Sequence, residues 1–235
     1  MSTYAELSHP YGTGVIPMRI TEVNRTNRRD VRAFLNLPFK IYRDIPQWVP
    51  PLRPGERARF KSGYSFYNHS EAAFFLVRDD GGQPVGRVAV LEHRPHNAYR
   101  SKKDALLYLY EAIDSDAVAR LLFETAEDWA RQRGLTRLLG PKGFMIGDGL
   151  GLLIEGFEHR PAIGIPYNPP YYIRQWEEIG GFVKEIDYYS AYVDRETFTY
   201  PERVGRIAAR LRERRDFRVP TFRTKRELRA QAPKI

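Results

Sequence analysis

The stretch Tyr167–Val193, YNPPYYIRQWEEIGGFVKEIDYYSAYV, contains in order a helix start, a helix stop and a run suited to a strand. Asn168 reads as an N-cap, because an Asn side chain can accept a hydrogen bond from a free N–H of a first helical turn. Pro169 and Pro170 follow where those N–H groups lack helical partners, so proline costs little there. Gly180 or Gly181 can take the left-handed conformation that ends a helix. Phe182 to Val193 is rich in β-branched and aromatic residues with a period near two, which predicts a strand.

Working back along the chain, Leu135 to Leu139 predicts a strand bounded by Gly140-Pro141. Before it, residues 116 to 133 form an amphipathic helix capped by Asp114 or Ser115 and ended by Gly134, with Val118, Leu121, Leu122, Ala126 and Trp129 on its buried stripe. Ala105 to Ile113 predicts a strand ahead of that helix. Ala72 to Arg78 and Val85 to His93 flank Asp79-Asp80-Gly81-Gly82, whose residues tolerate positive φ, so this segment predicts a hairpin.

Nearer the start, Val15 to Val23 predicts a first strand. Asn24 or Thr26 caps a helix running to about Ile45, with Val31, Phe34, Leu35, Phe39 and Tyr42 inward and Pro38 expected to kink or split it. Residues 48 to 67 hold Pro50, Pro51 and Pro54 without a period and read as an ordered loop. The expected order is strand, helix, three strands, helix, strand, long loop, helix, strand: an α/β layer architecture with a mixed, mostly antiparallel sheet and helices on both faces.

Composition narrows the function classes. The 235 residues include no Cys, which excludes disulfide frameworks, thiol nucleophiles and cysteine metal sites. No apolar run approaches membrane-spanning length and the first twenty residues lack a signal-peptide core, so a cytoplasmic protein without a membrane partner is expected. The net charge of +9 is uneven: residues 194 to 235 carry 13 Lys or Arg against 6 Asp or Glu, a net of +7, leaving +2 for the rest. Residues 1–14 are expected to be a flexible N-terminus, 15–195 one domain and 196–235 a basic helix-strand tail. That tail is read as a helix from Tyr200 to about Arg215 and a short strand from Phe217 to Phe222, with residues 224 to 235 loosely held.

Four phrases carry a family resemblance: FLNLPFKIYRDIPQWVPPL at Phe34–Leu52, GRVAVLEHRPHN at Gly86–Asn97, GLLIEGF at Gly151–Phe157 and YNPPYY at Tyr167–Tyr172. With the element order, and with Asn168 ahead of Gly181-Phe182, they resemble the GNAT (acyl-CoA N-acyltransferase) superfamily. More narrowly, the chain is similar to a bacterial, uncharacterised GNAT-like family whose members often continue into a second GNAT-like half; the tail then reads as the opening of that half. The resemblance implies transfer of an acyl group from acetyl-CoA or another acyl-CoA to a small-molecule or peptide amine, with no metal.

It also implies where the chemistry sits. The strand before the central helix splays from the next strand, so its backbone can pair with the pantetheine arm, while a loop and helix N-terminus hold the pyrophosphate. Tyr110, Glu111, Ala112, Ile113, Ser115, Gly140, Lys142 and Asn168 are the corresponding cofactor-binding residues. The loop Ile113-Asp114-Ser115-Asp116-Ala117 departs from the usual glycine-rich pattern and sets two carboxylates where a pyrophosphate would lie. Lys102, Lys103 or Lys142 would supply compensating charge. Tyr171 and Tyr172 are candidate proton donors and His96, beside His93 and Asn97 in an expected loop, a candidate general base; packing and solvation are the plain readings of these residues. His93-x-x-His96 makes a poor metal motif, lacking further ligands.

The Gly-rich runs Gly140–Phe144 and Gly147–Gly151 match neither a P-loop nor a dinucleotide fingerprint, and no Gly-x-Ser-x-Gly elbow exists. Two rivals to transfer stay open. One is a non-catalytic module that has kept the fold and lost coenzyme A, as the acidic loop suggests. The other, prompted by the basic tail, is RNA association or an aminoacyl-tRNA-dependent transfer, although a solvated basic face is the commoner reading. The tail helix also needs an apolar partner, for which self-association is one source.

Overall fold

A computed structural model describes residues 18–145, 147–194, 196–214 and 220–231. They fall into two compact units, Met1–Asp187 and Tyr188–Ile235.

The first unit is built on five strands: β1 Arg19–Glu22, β2 Glu71–Arg78, β3 Pro84–Glu92, β4 Asp104–Ala112 and β5 Arg137–Leu139. They lie in that order, antiparallel through β4, with β5 parallel to β4. The β2–β3 hairpin turns where Asp79–Gly82 predicted, with Gly82 at φ 74°. The parallel β4–β5 pair follows from the crossover through α4, Asp116–Arg131. Ser115 Oγ accepts from Val118 N at the start of that helix, and Gly134 takes φ 68° beyond its end.

Helices cover both faces, each burying one stripe of side chains. On one face α4 lays Val118, Leu122, Ala126 and Trp129 over Val77, Val88, Val90 and Leu107. It approaches β3 so closely at Gly86 that a Cβ there would meet Val118 Cγ1 at 2.5 Å. On the other face α1, Arg28–Ile41, brings Phe34 against Phe74, Leu76, Ala89 and Leu91. This is the mixed α/β arrangement read from the pattern.

Several local expectations are corrected. Helix α1 is capped by Asn27, whose Oδ1 accepts from Arg29 N at 2.9 Å, while Asn24 Oδ1 instead ties up Thr26; the helix ends at Ile41. Pro38 does not split it. Proline lacks the N–H that would bond Phe34 O, and buried Arg87 Nη1 supplies that hydrogen bond at 2.9 Å, so the carbonyl stays satisfied and the helix continues. The expected loop over 48–67 contains α2, Arg53–Ala58, and a 3₁₀ turn, Ser65–Asn68. The expected loop at His93–Asn97 is helix α3, Arg94–Arg100, for which His93 Nδ1 accepts from His96 N.

The helix after Asn168 is short: α5, Tyr171–Arg174, running into a π-helical turn over Gln175–Ile179. Gly181, at φ 66°, follows it. Asn168 does not cap α5. Its amide pairs with the backbone of Leu153, accepting from N at 2.7 Å and donating to O at 3.2 Å, as a neighbouring strand would. Phe182 to Val193 forms no strand. A ladder needs a partner, and Val183 and Tyr189 stand 89% and 93% exposed with no strand beside them among the described residues.

The second unit holds α6, Glu202–Arg214, as predicted, with Val204, Ile207 and Leu211 exposed on one face. The expected strand 217–222 lies partly outside the described residues, and 220–222 is not a strand; α7, Lys225–Gln231, follows. Residues 1–14 lie outside the described part.

Candidate active site at the far end of strand β4

Strand β4 is bulged. The register slips between Arg87 and Ala89 of β3, and Leu109 opposite takes φ 52°. A bulge kinks a strand and terminates its pairing. On the other edge β5 follows β4 over Asp104–Leu106, and after β5 ends Lys142 N still donates to Leu107 O at 2.8 Å.

The freed edge of β4 is met by side chains from α5 and its π turn. Tyr171 Oη donates to Ala112 O at 2.9 Å, and Ala112 N donates to Tyr172 Oη at 2.9 Å. Gln175 Nε2 donates to Ile113 O at 2.9 Å, and its Oε1 accepts from Tyr110 Oη at 2.9 Å. The π turn brings Gln175 and Trp176 together onto this edge, where Trp176 packs on Tyr110 and Phe123. Outside, Arg174 pairs with Asp114 at 2.8 Å and with Asp116.

Glu111, one residue before Ala112, turns its side chain to the opposite face, as strand alternation requires. Its Oε2 accepts from Tyr172 Oη and from Tyr42 Oη, each at 2.8 Å, Tyr42 standing at the C-terminal end of α1. Its Oε1 lies 3.5 Å from Arg87 Nη2, its cross-strand partner. Burial raises the Glu111 carboxyl above its ordinary range, against the lowering pull of Arg87 and the two phenols. Burial also raises Tyr42 and Tyr172 well above their usual values, with Glu111 adding to both shifts, so the phenols stay protonated as donors. The cluster joins α1, β3, β4 and α5 around one carboxyl group.

Of the residues singled out from sequence, Tyr110, Glu111, Ala112, Ile113, Tyr171 and Tyr172 come together here, with Ser115 adjacent as the cap of α4. Gly140 lies close against β4, where a Cβ would stand 2.7 Å from Leu107 O, and Lys142 follows it. Asn168 is held away at Leu153. His96 is elsewhere: it sits near Asp104 at the start of β4, about 25 Å from Ala112 at the usual rise per residue. Its pKa is lowered, by burial first and Lys142 second. Lys102 and Lys103 precede that same start of β4 and lie far from the acidic loop. Among the described residues no group of three or more His, Asp or Glu could hold a metal ion, and no helix is long and apolar enough to cross a membrane.

Arg87, Arg174 and Gln175 escaped the sequence reading, and Tyr42 was read only as part of the inward face of α1. Arg87 and Glu111 had a signal: each is a lone charge within an apolar strand, VGRVAVL and LLYLYEAI, which implies a buried partner.

A pantetheine arm laid along β4 would need the Ala112 and Ile113 backbone groups, which Tyr171, Tyr172 and Gln175 occupy. A pyrophosphate at the start of α4 would meet Asp114 and Asp116, already paired with Arg174. In this arrangement the residues do not fit coenzyme A.

Fold and site together define a mixed α/β domain with a buried carboxyl cluster at the far end of strand β4. No protein-family profile matches the chain. It is 32% identical over 203 residues to the bacterial ceramide synthase of Caulobacter vibrioides, covering 86% of this chain and 49% of that protein. It is 28% identical over 188 residues to protein YghO of Escherichia coli, covering 80% and 48%. The chain thus spans about half the length of the curated relatives it matches. A solved aminoglycoside acetyltransferase from an uncultured soil sample aligns over 75% of this chain and 97% of its own, at 7% identity and a TM-score of 0.45.

Proposed function

We propose that the chain takes part in N-acylation of a long-chain amine, with Glu111 accepting the amine proton. The observation that carries this reading is the Glu111 carboxyl, mostly buried, with a raised pKa, and held by two phenols and Arg87 beyond the β4 bulge. A carboxylate so raised is a better base than an ordinary one, and burial limits competing water. The long-chain amine is drawn from the name of the 32%-identical relative, since a ceramide is an N-acylated long-chain amino alcohol. In the step assigned to this domain, the amine N–H bond breaks and its proton passes to a Glu111 Oε while the nitrogen lone pair forms the amide bond to the carbonyl carbon of an acyl thioester that this edge of β4 does not itself hold; the C–S bond breaks and the thiolate leaves with its electron pair. Tyr172 and Tyr42 hold the carboxylate in place, and Arg87 balances its charge before the proton arrives.

A second reading is favoured by the occupied edge of β4: a GNAT-like module that binds without holding the acyl donor. One experiment separates the two. Purified chain is incubated with palmitoyl-CoA and a long-chain amino alcohol, and amide is quantified by mass spectrometry for the wild type and Glu111→Gln. Amide formed by the wild type and lost in a folded Glu111→Gln supports proton transfer at Glu111. A folded wild type that forms none supports the binding module.

A further inference from the structure

On the outer side of Arg87, away from the carboxyl cluster, α1 and α2 flank a groove of about 1150 Å³. That volume lies just above the usual range for small-molecule sites. Its floor is apolar, formed by Val31, Leu35, Phe39 and Phe60, and its walls carry eight Lys or Arg against the single acid Glu56. Glu56 is already taken by Arg59. Arg28 and Arg32, one helical turn apart on α1, stand with Arg57 and Lys61 of the opposite wall, and none of the four has an acidic partner among the described residues.

Arg87 is the second observation. Its side chain is 4% exposed, and Nη1 and Nη2 are engaged by Phe34 O and Glu111, yet its Nε is buried without a hydrogen-bond partner. A buried unpaired donor on a cation costs more than a neutral one, and an oxyanion entering the groove would satisfy it.

We propose that this groove binds a single-chain amphiphile with a phosphate or carboxylate head. The head accepts from Arg87 Nε and the flanking guanidinium groups, and the chain lies along Leu35, Phe39 and Phe60. Cation alone would suit any anion and apolar floor alone any lipid; their combination around an unpaired buried donor selects a molecule with both. The inference stands on the groove and goes beyond the amide-forming reading, so its failure leaves the turnover test untouched.

Calorimetry below micellar concentration tests it with dodecyl phosphate, dodecanoate, inorganic phosphate and dodecyltrimethylammonium. The two anionic amphiphiles should bind at least about tenfold more tightly than inorganic phosphate, because buried methylenes add to the charge contact. The cationic amphiphile should bind least. Arg32→Gln with Arg57→Gln, both at the solvent side, should weaken dodecyl phosphate by about tenfold while the unfolding temperature holds. Equal binding of inorganic phosphate would reduce the groove to a plain anion site. Equal binding of dodecyltrimethylammonium, or unchanged affinity in the double variant, would place binding elsewhere and overturn the proposal.

Discussion

The two ends of β4 are held by different chemistry. At its start, Asp104 is Arg137's register partner on β5 and takes a two-pronged ion pair from it, Nε and Nη2 each donating at 2.9 Å. Asn97 clasps the Asp104 backbone from the other side. At its far end, past the Leu109 bulge, β3 stays paired on one edge but no strand follows on the other, where the backbone is met by phenols and an amide, with a carboxyl and a guanidinium behind them. The start is tied by backbone ladder and by an ion pair between buried Asp104 and solvent-facing Arg137. The far end is tied by buried polar groups that depend on one another, which is the arrangement that can hold a reactive carboxyl at a perturbed pKa.

The largest expected effect is at Arg87. Arg87→Met leaves Glu111 and the Phe34 carbonyl buried without their donor and should cost about 3–5 kcal/mol in denaturant unfolding. Pro38→Ala restores an N–H to that carbonyl, so the Arg87→Met cost should fall by about 1 kcal/mol in a Pro38→Ala background. No coupling between the two would show that the Arg87 bond does not replace the missing proline donor.

Tyr172→Phe removes a hydroxyl that both donates to Glu111 and accepts from Ala112 N, and should cost about 1–3 kcal/mol. At the other end Asp104→Ala should cost only about 1 kcal/mol, since Arg137 is 44% exposed and regains water. Equal costs at the two positions would erase the distinction between the ends. Arg174→Ala should change stability least of all, and its effect should vanish at high salt, because its pairs with Asp114 and Asp116 lie in solvent.

How much of this was legible follows from how local each feature is. The β2–β3 hairpin and α4 depend on Asp79–Gly82, Ser115 and a 3.6-residue stripe, all neighbours in sequence, and both were read. Asn168 was misread as a cap because an Asn before Pro-Pro looks the same whether it bonds its own helix or Leu153, fifteen residues back. The continuous α1 was missed because Pro38 is rescued by Arg87 from another element. Phe182–Val193 has strand composition but no partner to pair with, and composition carries no information about partners. Within the site, Glu111 was named only for its backbone; its side-chain role needs Tyr42 and Tyr172, 69 and 61 residues away.

Glu111 also sets a pH dependence. Its folded pKa lies above the ordinary carboxyl value, so folding favours the protonated form. Its contribution to stability is therefore fully present below the unfolded pKa and is lost as pH rises through the folded pKa. Glu111→Gln cannot ionise, and its stability relative to wild type should rise over that same window.

The most direct measurement is the titration of the Glu111 side-chain carboxyl by ¹³C NMR, assigned by its loss in Glu111→Gln. A midpoint above the ordinary glutamate range, rising further in Tyr172→Phe, is what a buried carboxyl steadied by two phenols and Arg87 predicts. A midpoint at the ordinary value, unmoved by Tyr172→Phe, would contradict it and leave the far end of β4 as packing alone.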